Sequence, residues 1–126
     1  MSLAAQFLAH LVGDYLAQSH WMAVEKVRRS LPAAIHALTY GLPFLLLRPS
    51  PLAWAVIVGS HFIIDRWRLA RYVVWAKNLA GLRRYWGNPR TTGYPDDTPP
   101  WLATWLLIIA DNTLHLLCNA GAFRWL

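Results

Sequence analysis

Charged residues and cysteines are scarce in this sequence. Of its 126 residues, 14% are charged and 56% are hydrophobic, whereas a soluble domain has about 25% charged residues. Cys118 is the only cysteine, which excludes an internal disulfide bond and a cysteine-based metal site. The length predicts one domain, residues 1-126. The scarcity of charge, together with eight tryptophans, favours a membrane protein over a soluble one.

The N-terminus also lacks the basic region that opens a cleavable signal peptide, so we expect the apolar run that follows to be a mature helix. Start signals precede three further apolar segments: Pro32, the Ser50-Pro51 pair, and Thr98 with the two prolines after it. The predicted helices cover residues 3-20, 32-47, 51-75 and 99-118. A cytoplasmic amphipathic and loop region is predicted over residues 66-98.

The basic residues concentrate in two connections of this predicted topology. Three of the 12 Lys and Arg lie between the first and second helices, and seven lie between the third and fourth. Four spans would place both connections on one side of the membrane, which the positive-inside rule makes the cytoplasm. We therefore predict an all-α, four-helix integral membrane bundle. It would lie in the bacterial inner membrane as a multi-pass protein with both termini outside and the lipid bilayer as its partner. The alternation of basic and non-basic connections argues against a nucleic-acid-binding face. A soluble helical bundle is the alternative fold.

Three His/Asp pairs lie inside the apolar segments. The pairs are His10/Asp14, His61/Asp65 and Asp111/His115. Each pair has i, i+4 spacing, which places both side chains on one helix face. The remaining apolar segment carries a single histidine, His36. An ionised aspartate at the centre of a spanning helix costs roughly 2.5–3.5 kcal/mol, so we expect the aspartates to face inward and to find cationic partners.

A divalent cation is the partner that best serves several carboxylates and imidazoles at once. The predicted topology brings the polar groups together between the membrane midplane and the cytoplasmic surface. Mixed histidine and carboxylate ligation suits Zn, Mn or Fe more than Ca or Mg, and seven donors leave room for one ion or two. The predicted metal ligands are His10, Asp14, His36, His61, Asp65, Asp111 and His115.

A metal-dependent hydrolase is the function that this pattern favours. A bound ion would activate water, and whichever of Asp65 and Asp14 is less engaged by the metal would act as the catalytic base. Basic side chains beside the cluster predict an anionic substrate at the cytoplasmic face, a phosphate ester or a lipid phosphate. The predicted substrate-binding residues are Arg66, Arg68, Arg71 and Lys26.

Other functions fit the same residues. The cluster is also compatible with a proton or metal-ion transporter, although the apolar outer halves of the helices, Leu42 to Leu47 and Leu52 to Val58, disfavour conduction. A further alternative is a non-catalytic phage or prophage membrane factor that binds a host protein, with the polar cluster serving as a structural hydrogen-bond network. An oligomeric assembly is compatible with each of these functions.

The run Ala9-His10-Leu11-Val12-Gly13-Asp14-Tyr15-Leu16-Ala17-Gln18, followed by Trp21-Met22 and Lys26, resembles the opening of a small bacterial and phage membrane-protein family known only as a domain of unknown function. His36, the run His61-Phe62-Ile63-Ile64-Asp65 and the run Asp111-Asn112-Thr113-Leu114-His115 match the remaining polar positions of that family. The resemblance covers essentially the whole chain. More remotely, the family is similar to the LexA-regulated inner-membrane metal-dependent hydrolases, which implies a metal-bound active site at the same seven residues.

Overall fold

Helices dominate the computed structural model, which describes residues 2–126. Within these residues the α-helices are α1 Leu3–Leu11, α2 His20–Glu25, α3 Ser30–Leu45, α4 Pro51–Trp67, α5 Leu69–Asn78 and α6 Pro100–Trp125. A π-helical turn, Val12–Leu16, follows α1, and a 3-10 turn, Arg83–Tyr85, follows α5. The predicted all-α class is confirmed.

Serine side chains fix where three of these helices begin. The hydroxyl oxygen of Ser2 accepts a hydrogen bond from the Ala5 amide at the start of α1 (3.1 Å). Ser19 and Ser50 cap α2 and α4 in the same way, at 3.3 and 3.0 Å. Each hydroxyl satisfies an amide that has no partner within its own helix.

The four-span membrane bundle predicted from the charge pattern is wrong. Among the described residues, α6 alone is long and apolar enough to cross a membrane, judged by length and composition. A spanning helix needs about 20 residues, but α1 has nine, α3 has 16 and α4 has 17. The predicted third helix stops early because Arg68 adopts a left-handed conformation, with φ of 51°, between α4 and α5. A multi-pass topology with both termini outside is therefore not supported.

The chain divides into two compact units. The first unit comprises the chain up to Trp67 together with His115–Leu126, and the second comprises Arg68–Leu114. In the second unit the Asn78 side chain donates to the carbonyl oxygen of Gly93 (3.0 Å), where φ is 84°. That bond ties the loop after the 3-10 turn to the end of α5.

The first unit buries polar side chains and exposes apolar ones. Leu38, Leu42 and Leu45 of α3 are about half exposed. The buried polar residues are Gln6, His10, Asp14, His36, His61, Asp65, His115 and Asn119. Because buried polar groups need partners, this concentration of buried polar side chains makes the first unit the candidate location of a functional site.

Close packing of α3 on α4 brings these polar groups together. A β-carbon at Gly41 of α3 would lie 2.5 Å from Cγ2 of Val58 in α4. The indole Nε1 of Trp54 donates to the Gly41 carbonyl oxygen across the same contact (2.9 Å). The buried apolar cluster around it consists of Ala9, Tyr40, Phe44, Ala53, Ile57 and Ala122.

The π-helical turn presents Asp14 to α3. The Ala17 amide donates to the Val12 carbonyl oxygen (2.9 Å), a bond that spans one residue more than in an α-helix. Such turns occur frequently at functional sites. Gly13 allows the close approach, since a β-carbon there would lie 2.6 Å from the Tyr40 carbonyl oxygen. The sequence in this turn therefore sets the position of the neighbouring carboxylate.

We expect Gly13→Ala to destabilise the protein by about 1–3 kcal/mol, because the added methyl group must push the π-helical turn away from α3. Urea unfolding followed by circular dichroism would measure the change. Gly59→Ala is the matched control, since a β-carbon there meets nothing within 4 Å and alanine favours a helix by about 1 kcal/mol. Equal effects of the two substitutions would contradict this account of Gly13.

Candidate metal centre

Four side chains from three segments converge in the first unit. Asp14 comes from the π-helical turn, His36 from α3, and His61 and Asp65 from successive turns of α4. All four are buried, with 0–6% of their surface exposed. One nitrogen or oxygen from each lies within 4.8 Å of the others, so this group could hold a metal ion. We call these four residues the donor cluster.

The spacing of the donor atoms matches that around a tetrahedral ion. Nε2 of His36 lies 2.9 Å from Nε2 of His61, and 3.2 Å from an oxygen of each aspartate. Nε2 of His61 lies 3.2 Å from Asp65 Oδ2 and 3.8 Å from Asp14 Oδ1. Tetrahedral zinc, with bonds of about 2.0–2.1 Å, separates its ligand atoms by roughly 3.3–3.4 Å. The five distances therefore scatter around the value that one shared ion imposes.

Lys26 lies on the side of the donor cluster that reaches solvent. Its ammonium group donates to Asp65 Oδ2 (2.6 Å) and lies 3.3 Å from His36 Nε2 and 3.9 Å from Asp14 Oδ1. The lysine side chain is 15% exposed, more than either aspartate. Lys26 thus supplies a positive charge at the least buried edge of the cluster.

Hydrogen bonds on the far side of His61 leave its Nε2 able to bind a metal. His61 Nδ1 lies 3.1 Å from His115 Nδ1, and His115 Nε2 lies 3.2 Å from Asp65 Oδ1. A carboxylate only accepts, so His115 Nε2 carries the proton and His115 Nδ1 accepts one from His61. His61 Nε2 is then the unprotonated nitrogen, and it faces the other donors. A partner at the second ring nitrogen is typical of a metal-binding histidine.

Tyr40 packs against the donor cluster through His61. Its ring stacks on His61, with the ring centres 3.6 Å apart and the planes inclined by 11°. Asn119 Nδ2 donates to the Tyr40 hydroxyl (2.7 Å), and the hydroxyl lies 3.0 Å from His10 Nδ1. The hydroxyl accepts from Asn119, and its own proton remains available for the hydrogen bond with His10. Burial raises the pKa of Tyr40, so the hydroxyl keeps its proton.

The histidines control the ionisation of the two aspartates. Burial alone would raise the pKa of Asp65, but hydrogen bonds with His115 and His36, together with the contact with His61, outweigh burial and hold the pKa well below its usual value. For Asp14, burial is likewise outweighed by the His36 hydrogen bond acting together with His61 and Lys26, so its pKa is also lowered. Both side chains are therefore carboxylates, the form that binds metal.

The two imidazoles of the cluster shift in opposite directions. Burial would lower the pKa of His36, but hydrogen bonds with Asp14 and Asp65 raise it above the usual value. Burial dominates at His61 and lowers its pKa to about 4, so that ring is neutral at pH 7. Neutral imidazole is the form that binds a metal ion.

A family model matches residues 2–118 and is described as a protein of unknown function, DUF3307. The chain belongs to this family. No curated protein and no solved structure matches the chain. The resemblance to a domain of unknown function is thereby confirmed, while the remoter similarity to LexA-regulated hydrolases is not shown. A function must therefore be inferred from the geometry of the donor cluster.

Four of the seven ligands predicted from the sequence form the donor cluster. His115 lies beside it and contacts His61 and Asp65 through both ring nitrogens. His10 is buried and lies next to the Tyr40 hydroxyl. Asp111 lies one turn before His115 on α6, in the second unit. The roles of these other three residues as ligands stay predictions.

Among the predicted substrate-binding residues, Lys26 contacts the donor cluster. Arg66 instead donates to two backbone carbonyl oxygens in the connection between α2 and α3, at 3.0 and 3.2 Å. Arg68 and Arg71 belong to the second unit. Substrate binding by these arginines stays a prediction.

The site predicted from the sequence did not include Tyr40 and Asn119, although a signal for both was present. Tyr40 follows His36 by four residues, and Asn119 follows His115 by four residues. That is the spacing used to find the His/Asp pairs. Tyrosine and asparagine are not among the residue types that defined the predicted metal site, so neither was assigned to it despite lying on the same helix faces.

We expect the metal-free protein to lose stability as the pH falls below about 4. The lowered pKa values of Asp14 and Asp65 stabilise the fold above the unfolded-state pKa of 3.8. That contribution disappears as the pH falls through the folded-state values. Asp14→Asn should reduce the slope of the free energy of unfolding against pH. The reduction corresponds to up to one proton, which is about 1.4 kcal/mol per pH unit.

Urea unfolding after chelator treatment, repeated at several acidic pH values, would test this. Asp97→Asn, an exchange at an exposed aspartate of the second unit, should leave the slope unchanged. An identical slope for wild type and Asp14→Asn would contradict the assigned role of Asp14.

Proposed function

We propose that this protein binds one divalent transition-metal ion, preferably zinc, through Asp14, His36, His61 and Asp65. The observation that carries the proposal is the spacing of the four donor atoms, 2.9–3.8 Å for the five separations described above. Two carboxylates buried beside one imidazole nitrogen also need more positive charge than the single Lys26 ammonium supplies. One ion satisfies both requirements.

The donor set favours zinc among the common cations. Two imidazoles and two carboxylates form a mixed nitrogen and oxygen site, which suits zinc, manganese or iron more than calcium or magnesium. Four donors at tetrahedral spacing favour zinc over the metals that prefer six ligands. We propose one ion at the donor cluster, which holds four of the seven predicted ligands.

We expect the purified full chain to bind one zinc ion per molecule and His61→Ala to weaken binding by more than about 100-fold, since changes outside the ligand shell alone cost about 10–100-fold. Equilibrium dialysis with elemental analysis would measure both quantities. His20→Ala is the matched control, because His20 is an exposed histidine. Absence of stoichiometric zinc in the wild type, or equal binding by the two variants, would refute the proposed site.

A second candidate function, hydrolysis of an anionic substrate, is favoured by the position of Lys26. Its ammonium group is the partly exposed cation beside the donor cluster. Lysine binds phosphate as a point charge, so a phosphate ester is the substrate class that this edge would accept. A transporter or a non-catalytic membrane factor has no comparable observation in its favour.

The donor cluster and Lys26 would take separate roles in such a reaction. A zinc ion, when bound, supplies Lewis acidity to a polar bond of the substrate. His36, His61 and Asp65 form the tightest part of the cluster, with separations of 2.9–3.2 Å, and would hold the ion. Asp14 lies farther from His61, at 3.8 Å. Of the four ligands, Asp14 would therefore leave the ion and accept a proton from an attacking water, while Lys26 binds the anionic group.

We expect Lys26→Met to lower kcat/KM of the zinc-loaded protein for an aryl phosphate by at least about tenfold, because the substrate loses a charge-assisted contact. Turnover of a neutral aryl acetate should change less. The two assays can be read by release of the same phenol. Lys77→Met, a change at an exposed lysine of the second unit, is the control.

Lys26→Arg, which keeps the charge, should retain most of the preference for phosphate. Equal losses with both substrates in Lys26→Met would show that Lys26 serves structure rather than substrate binding. Failure of the zinc-loaded wild type to hydrolyse either ester would remove the hydrolase candidate and leave the metal site standing.

A further inference from the structure

The second unit carries an exposed turn in which two arginines lie between a leucine and two aromatic residues. The turn comprises Leu82, Arg83, Arg84, Tyr85 and Trp86, and all five residues are exposed. Leu82 is 64% exposed, Tyr85 54% and Trp86 45%. A hydrogen bond from the Trp86 indole to the Gly81 carbonyl oxygen (3.2 Å) closes the turn. We call these five residues the basic turn.

Each arginine of the basic turn lies beside an aromatic ring rather than an acid. The Arg83 guanidinium lies 5.8 Å from the centre of the Trp86 ring, and that of Arg84 lies 4.7 Å from the centre of the Tyr85 ring. Within residues 2–126, neither guanidinium forms a salt bridge with a carboxylate. Both positive charges are therefore available to an anionic partner.

The same unit exposes apolar side chains suited to hydrocarbon. Trp101, Trp105, Ile108 and Ile109 of α6 are 67%, 61%, 37% and 59% exposed. Their spacing, i, i+4, i+7 and i+8, places them on one face of the helix. The unit has six Lys and Arg against three Asp, a net charge of +3. Exposed apolar side chains on a unit of net positive charge indicate an interaction surface.

We propose that the basic turn docks on an anionic phospholipid bilayer. Arginines beside Trp and Tyr suit the headgroup layer, where amphipathic rings settle and negative lipids attract basic residues. The Leu82 side chain would reach the acyl boundary. A nucleic acid would pair with the arginines but leave Leu82 and the apolar face of α6 in water. A second copy of this basic chain would bring like charges together.

Vesicle binding of the full chain tests this proposal. The probes are vesicles of phosphatidylcholine alone and vesicles with about 30% phosphatidylglycerol. Wild type should prefer the anionic vesicles, and the preference should weaken with salt. Arg83→Gln with Arg84→Gln should reduce the ratio of the two partition coefficients by roughly 30-fold, since each charge near the surface contributes about a factor of five. Using the ratio removes any anchoring that does not depend on lipid charge.

A matched double variant separates the basic turn from net charge. Arg28→Gln with Arg29→Gln removes the same two charges from an exposed pair in the first unit and should keep the anionic preference. Equal losses in the two double variants would overturn the proposal. An unchanged vesicle preference in the Arg83/Arg84 variant would also overturn the proposal. A loss of binding to duplex DNA in that variant would then indicate a nucleic acid as the partner, and a loss of self-association would indicate a second copy of the chain. Neither result depends on zinc, so failure here is distinguishable from failure of the metal site.

Discussion

The approach of two buried carboxylates to one imidazole nitrogen constrains the whole first unit. Asp14 and Asp65 each place an oxygen 3.2 Å from Nε2 of His36. Breaking a buried charge pair by removing one partner typically costs about 3–5 kcal/mol, so the position of each carboxylate must be held closely. The close contacts at Gly13 and Gly41 contribute to this, because they allow the π-helical turn and α4 to pack tightly on α3.

Hydrogen bonds around the donor cluster extend this constraint outward. Asp65 uses one oxygen toward His36 and Lys26 and the other toward His115, which in turn fixes the tautomer of His61. Tyr40 then fixes the plane of the His61 ring. Such a network orients ligands before an ion arrives, which reduces the ordering cost of binding.

Sequence reasoning found the chemistry of this site better than the architecture. The i, i+4 spacing predicted which side of α4 carries His61 and Asp65, because that helix is regular through both residues. The same rule treated His10 and Asp14 as one helix face, but the π-helical turn begins between them and adds a residue. The sequence pattern also could not show that Lys26 and His36 meet, since their contact depends on how α2 returns onto α3.

The membrane topology failed for a related reason. Hydropathy and the positive-inside rule assume that each apolar segment is one continuous helix, whereas Ser19 and Arg68 break two of the predicted segments. The sequence nevertheless indicated the polar interior and apolar exterior of the first unit, because pairs of metal-ligand residues lie within its apolar segments.

X-ray absorption at the zinc edge of the zinc-loaded full chain tests the central claim most directly. The account predicts four nitrogen or oxygen ligands at about 2.0 Å, two of them imidazoles. A six-coordinate oxygen shell without imidazole scattering would contradict it.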